Sequence, residues 1–341
     1  MSTDDILLLK GSEIGAVLNG REHDILNVVA RAYEAHASGN SSLPHSTFLR
    51  FPDDEKSRII ALPAYLGDGF SVAGIKWVSS FTANLNKGLD RASAVLILNS
   101  TETGRPEAII EGSIISAKRT AASAALAAQH LLDGSRLKSV GLIGCGLIGF
   151  EIIGFMRTIC PGLEKLLLFD LDPHHAEIFR RECGDVFASV EIAASSREVL
   201  AKSSLVVLAT TAAKPHIADL SDCAPGSTIL HVSLRDIAPE AIIACDNIVD
   251  DVDHVSRAQT SIHLAEQLTG SRDFVRCTLG EILLGRAAPR RDAESVAVFS
   301  PFGLGVLDIA LGKYVCELGR QANMGTVIGS FLPAPWAAGR I

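Results

Sequence analysis

The chain has 341 residues, 48% of them hydrophobic and 21% charged, with a formal net charge of −8. This length accommodates two domains and this composition excludes a disordered chain. The acidic balance, with no basic patch, excludes the electrostatic footprint of a nucleic-acid binder, so an anionic substrate has to be met by locally placed Lys or Arg.

Seven cysteines are scattered without a C-x-x-C pair, and no His cluster stands at ligand spacing. No disulfide framework and no metal site is expected, and free thiols fit a reducing cytoplasm. The opening MSTDDILLLKGSE places two acids before a short apolar run, unlike a signal peptide, and no apolar stretch of about 18 residues marks a membrane span.

In chain order, residues 5–9 read as a short strand. Gly11-Ser12-Glu13 opens a helical stretch, and Ile25–Ala37 has helical apolar spacing. Ser46–Leu49 and Arg58–Leu62 read as strands, the second ending at Pro63. Ser71–Ser79 follows as a strand, then Ser93–Asn99 and Pro106–Glu111 as a hairpin-like pair around Glu102-Thr103-Gly104. The pattern changes near Ser113. Ile114–Leu132 is Ala-rich and helix-favouring, and Asp133-Gly134-Ser135 stops it. Strands then alternate with helices: Ser139–Ile143, Lys165–Phe169, Leu205–Ala209, Thr228–Val232 and Asn247–Val249, with Val296–Phe299 as a further candidate. That alternation is the signature of βαβ units around a parallel sheet. Gly303–Ala322 reads as a long closing helix that returns the chain to the first domain.

The segment VGLIGCGLIG carries Gly144, Gly146 and Gly149 as G-x-G-x-x-G, directly after a strand and at the start of a helix. The first glycine permits the tight turn, the second lets backbone approach a pyrophosphate, and the third lets the helix pack on the strand. Cys145, Leu147 and Ile148 complete the loop, whose N–H groups and helix dipole suit phosphate. Asp170 ends the next strand about 20 residues on, placed to accept bonds from an adenosine ribose and to repel a 2′-phosphate, which favours NAD over NADP. Thr210 and Thr211 follow the fourth strand, and Ser233 and Asp236 follow the fifth, at the sheet edge where such folds bind ligands.

Among cations, Lys76 stands between Ile75 and Trp77 inside a strand, and Arg119 lies in the Ala-rich helix. Lys76 reads as a carboxylate anchor or proton-transfer group, although a solvent-facing Lys on an edge strand gives the same pattern. Arg119 reads as a cleft-facing cation or as part of a solvated helix face. Arg50, Arg58 and Arg91 are further anion anchors with less support, and His45 and His231 are candidate catalytic histidines, although single histidines beside apolar runs are more often structural.

The segments GIKWVSS, RASAVLILN, EGSIISAKRTAA, IGCGLIG and SPFGLGVLDIA, in this order over nearly the whole chain, resemble the ornithine cyclodeaminase/mu-crystallin family. Within it they resemble the 2,3-diaminopropionate branch of siderophore and antibiotic pathways, whose members oxidise N-(2-amino-2-carboxyethyl)-L-glutamate, as in staphyloferrin B formation. The resemblance implies an α/β protein in which a Rossmann dinucleotide-binding domain is inserted in an α+β substrate and dimerisation domain. On that view residues 1–115 and 311–341 form the substrate domain and 116–310 the NAD domain. It also implies a homodimer acting on a small amino acid. Lys76 and Arg119 match the family's catalytic and carboxylate-binding Lys and Arg, with Arg50 a further substrate contact. Ornithine cyclodeaminases carry an Asp-x-Pro-Gly-Lys-type segment after the fifth strand, where this chain has SLRDIAPE. Asp236 is the expected replacement for their catalytic acid, and the difference speaks against ornithine cyclisation. A cyclodeaminase, a non-catalytic crystallin-like binder and an imine reductase are the alternative activities.

Overall fold

The computed structural model describes residues 4–132 and 137–333, so the helix stop expected at 133–135 lies outside the described residues. The first segment contains β1 (Ile6–Leu9), α1 (Gly11–Leu18), α2 (Glu22–Ala37), β2 (Ser41–Ser42), β3 (Thr47–Phe51), β4 (Asp54–Leu66), β5 (Val72–Ser80), β6 (Ala92–Asn99) and β7 (Pro106–Glu111). Helix α3 (Ser113–Leu131) leads into β8 (Ser139–Ile143), α4 (Leu147–Ile159), β9 (Lys165–Phe169), α5 (Pro173–Cys183), β10 (Ser189–Ile192), α6 (Ser196–Lys202), β11 (Leu205–Leu208) and β12 (Thr228–His231). Then come α7 (Pro239–Ile243), β13 (Asp246–Val249), α8 (Val252–Val255), α9 (Ser261–Thr269), β14 (Val275–Thr278), α10 (Leu279–Leu283), β15 (Ala297–Ser300), α11 (Gly305–Gln321) and β16 (Thr326–Ile328).

The chain divides into two compact units, residues 1–119 with 304–341, and residues 120–303. Sequence patterning put the breaks at 115/116 and 310/311. The second of these would cut α11, whose apolar run continues without a turn signal from Gly305.

In the first unit the sheet order is β16-β1-β7-β6-β5-β4-β2, with β3 also on β4. Strands β4 to β7 form an antiparallel meander, and β1 joins β7 in parallel. Strand β4 runs through Pro63 rather than ending there, because no ladder partner needs its missing N–H. Pro63 pairs with Ile75 on one side, and on the other it falls between the β3 pairing at Ala61 and the β2 pairing at Tyr65. Side chains alternate across the sheet, so Val72, Gly74 and Lys76 share the face covered by α11. The helix lies close: a Cβ on Gly312 would stand 2.4 Å from Leu96 Cδ2. Ile14, Ile25, Tyr33, Leu66, Leu96, Ile110 and Leu307 fill the core without measurable exposure.

The second unit holds an eight-stranded, all-parallel sheet in the order β10-β9-β8-β11-β12-β15-β13-β14. From β8 the strands run outward as β9-β10 on one side and as β11-β12 on the other, the doubly wound arrangement with its switch point between β8 and β11, and β15 is inserted between β12 and β13. Strands β11, β12, β13 and β15 are buried along their whole length, as expected of a sheet covered on both faces. Sequence patterning passed over β10 and β14. Both have four residues, stand at the sheet edges and are half exposed, so neither shows an apolar run. Among the described residues, no helix is long and apolar enough to cross a membrane.

Candidate functional site

Strand β8 delivers the chain into the glycine loop. Gly144 has φ +98°, and a Cβ there would stand 2.6 Å from the Ala209 carbonyl oxygen, so only glycine is accommodated. A Cβ on Gly149 would stand 2.8 Å from the Gly144 oxygen, which keeps α4 tight on the loop. Gly146 caps α4 in an extended conformation, and a Cβ there would meet nothing within 4 Å. That open approach in front of a 13-residue helix N-terminus is what a pyrophosphate requires. Cys145 donates its backbone N–H to Asp170 Oδ2 at 2.7 Å, and Asp172 N–H reaches Oδ1 at 2.9 Å. The acid is thereby held against the loop, with lone pairs left for a ribose hydroxyl. The Asp172 side chain caps α5 through His174 N–H, and Pro173 starts the helix, so DLDPHH folds locally as its residues dictate. Burial, with Asp170 and Cys183 nearby, pushes the Cys145 thiol up to about 12, so Cys145 serves the loop through its backbone. The loop residues Gly144, Cys145, Gly146, Leu147, Ile148 and Gly149, with Asp170, fit a dinucleotide with a free adenosine ribose.

A second group gathers at the carboxyl ends of β11 and β12. Asp236 is fully buried. The Thr210 hydroxyl donates to Oδ1, and His216 Nε2 lies 3.1 Å from the same oxygen. The Ser233 hydroxyl meets Oδ2, with His231 Nε2 3.3 Å from it. Burial favours the neutral acid, but His231 and the Ser233 and Thr210 hydroxyls outweigh it and hold Asp236 well below the usual carboxylate range. Both carboxylate oxygens of Asp236, the acid expected here, are thus engaged by side chains of the second unit. Leu234, between Ser233 and Asp236, is buried with φ +69°, a strained backbone at the ligand-binding edge. Thr211 is exposed beside Thr210.

The third group lies in the first unit. Lys76 and Arg119, each readable from pattern as solvated, are 3% and 7% exposed. Lys76 sits on a central strand, flanked across the ladder by Leu62 and Leu96. Its Nζ is 2.7 Å from Asp308 Oδ2 and 3.1 Å from the Ser116 hydroxyl on α3. Arg119 Nε donates to Asp308 Oδ1 at 3.0 Å. Burial and the neighbouring Arg119 push Lys76 down to about 8, with Asp308 opposing them. Asp308, without any exposure, is the functional residue that sequence reasoning missed. Its signal was an acid within the apolar helical run GVLDIALG, on the same face as Gly305 and Gly312. Arg50 is not brought to this cluster: it is exposed on β3, with its guanidinium over the Phe48 ring.

The family model described as the ornithine cyclodeaminase/mu-crystallin family matches residues 7–323. Among curated proteins, the chain is 28% identical to the N-((2S)-2-amino-2-carboxyethyl)-L-glutamate dehydrogenase of Staphylococcus aureus, covering 96% of this chain and 99% of that protein. Among solved structures it is similar to the Thermococcus litoralis Delta(1)-pyrroline-2-carboxylate reductase in complex with NADH and L-proline, with 25% identity, a TM-score of 0.87, and 94% and 99% of the two chains covered. It is also similar to an archaeal alanine dehydrogenase dimer with bound NAD, with 26% identity, a TM-score of 0.86, and coverage of 95% and 99%.

Proposed function

Because the chain belongs to the ornithine cyclodeaminase/mu-crystallin family, we propose that it is an NAD-dependent amino-acid dehydrogenase acting on N-(2-amino-2-carboxyethyl)-L-glutamate. Its products would be 2,3-diaminopropionate and 2-oxoglutarate. The observation that carries the reading is the buried Lys76–Arg119 pair sharing one carboxylate, Asp308. Two cations against one acid leave a positive excess, which a carboxylate-bearing substrate balances; guanidinium suits bidentate pairing with it. The similarity to the staphylococcal dehydrogenase along the whole chain supports this substrate.

The Rossmann unit supplies the nucleotide site. The glycine loop receives the phosphates and Asp170 the adenosine ribose. Thr210 and Ser233, oriented by Asp236, stand at the strand ends where the nicotinamide half binds in such folds. NAD+ held by these residues would supply the oxidising equivalent, taking the hydride from the glutamate Cα of the substrate. Arg119 holds a substrate carboxylate. Lys76 in its ammonium form adds to that anchor and gives a proton to the amine nitrogen as the C–N bond breaks after water has added.

We further propose that a second copy of the chain covers the open face of the first unit's sheet. Trp77 and Tyr65, each 41% exposed, stand on that face with Ala73 and Ile75, opposite to Lys76. The similar archaeal alanine dehydrogenase is a dimer.

Incubating the protein with the glutamate–diaminopropionate conjugate and NAD+ should produce NADH absorbance in step with both products. No NADH from this conjugate rejects the substrate. The second reading, an imine reductase, is favoured by the similarity to the Thermococcus reductase. It predicts NADH consumption with Δ1-pyrroline-2-carboxylate. Ornithine turnover without net NADH would indicate a cyclodeaminase.

A further inference from the structure

Asp308 makes two contacts with two cations, one at each carboxylate oxygen. Lys76 comes from a central strand, Arg119 from α3 and Asp308 from α11, so three elements meet at one carboxylate. The remaining neighbours of Lys76 across the ladder, Leu62 and Leu96, carry no charge, and Ser116 contributes a hydroxyl. The charged groups that act on Lys76 are Arg119 and Asp308. Lys76 donates a hydrogen bond to the Ser116 hydroxyl and stands at ion-pair distance from Asp308 Oδ2, an oxygen that accepts no hydrogen bond among the described residues. Of the Arg119 donors, Nε is taken, and the terminal nitrogens have no hydrogen-bond partner among the described residues.

We infer that Asp308 is the positioning residue of this cluster, a carboxylate that pairs with Lys76 and Arg119 so that the ammonium group and the free guanidinium edge are presented together to a substrate carboxylate. The inference rests on the amino-acid dehydrogenase reading and deepens it. Without Asp308 two buried like charges would face each other with nothing between them, and the ammonium would be the one to yield, because Arg stays charged. Asp308 therefore keeps Lys76 in the ammonium form that anchors the substrate, and it does so without touching the reacting atoms. Gly74 of β5, whose Cβ would stand 3.2 Å from Ile309 Cγ2, lets α11 lie close over the strand that carries Lys76.

The full chain with 13Cε-labelled lysine tests this. The Lys76 signal is identified by its loss in Lys76→Arg and is titrated in wild type and in Asp308→Asn. The Lys76 midpoint should fall by about one pH unit or more in Asp308→Asn. It should rise in Arg119→Gln, which removes the repelling neighbour and leaves Asp308 in place. The KM for the amino-acid substrate should rise at least tenfold in Asp308→Asn while nucleotide binding stays within twofold, with partial recovery in Asp308→Glu. A Lys76 midpoint unmoved in a folded Asp308→Asn overturns the inference. If that variant does not fold, an unmoved midpoint in Arg119→Gln overturns it instead. The titration does not depend on turnover: wild type that oxidises no amino acid sinks the substrate reading while the shifts still decide the role of Asp308.

Discussion

Lys76 Nζ lies 2.7 Å from Asp308 Oδ2, joining a strand near the start of the chain to the closing helix in a site where the two side chains are 3% and 0% exposed. A charge buried this deeply is costly unless it is paired, and one carboxylate serving two cations leaves the pairing incomplete. On the proposed reading, a substrate carboxylate would complete it.

Replacing Lys76 by Ala should abolish turnover and spare the nucleotide site, since the glycine loop and Asp170 belong to the other unit. A loss of about 100-fold or more in kcat is expected for a proton-transfer and anchoring group. NADH fluorescence titration should return an affinity within about twofold of wild type. Full activity in this variant would remove Lys76 from the mechanism.

The pH dependence follows from the position of Lys76 near 8. If the ammonium form anchors the substrate, kcat/KM should fall as pH rises through about 8. Stability should move the other way. The folded-state value lies below the ordinary 10.5, so between about 8 and 10.5 the unfolded chain holds more protons and stability rises with pH across that window. Lys76→Met should flatten that rise, which thermal melts between these pH values will show.

If Asp170 accepts from the adenosine ribose hydroxyl and repels a 2′-phosphate, it sets the preference for NAD over NADP. Asp170→Ala should weaken NAD+ at least tenfold, in keeping with about 1.5–3 kcal/mol for a hydrogen bond to a charged group. It should also narrow the preference over NADP+. Kinetics with both cofactors measure the ratio, and an unchanged ratio would contradict the assignment.

The loop glycines should separate by mechanism. Gly144→Ala meets both a positive φ and a Cβ clash with the Ala209 oxygen, so it should lower the melting temperature and lose nucleotide binding together. At Gly146 the Cβ has open space, so Gly146→Ala should melt like wild type and lose nucleotide affinity alone, because the methyl group enters the path of the phosphates.

Trp77→Glu places a charge on the open sheet face without entering the Lys76 cluster. If a second copy covers that face, light scattering after size exclusion should show a dimer for wild type and a monomer for the variant. A wild-type monomer would reject the assembly.

Much of the nucleotide unit was determined by local sequence. The glycine spacing, the acid at the end of β9 and the cap Asp172 act within a few residues of where they stand, so strand, turn and helix were legible together. The buried strands β8, β9, β11 and β12 showed as apolar runs for the same reason, whereas the half-exposed edge strands β10 and β14 did not. What only the tertiary structure decided was which charges are partners. Lys76 and Arg119 each carried a pattern that a solvated residue carries equally well. Asp236 was the acid that sequence position suggested, yet it is engaged by Thr210, Ser233, His216 and His231 in the second unit. The acid beside Lys76 is Asp308, contributed by α11 from the far end of the chain. Such a pairing depends on the close packing of a helix over a sheet, and no periodicity along the chain records which residues that packing brings face to face.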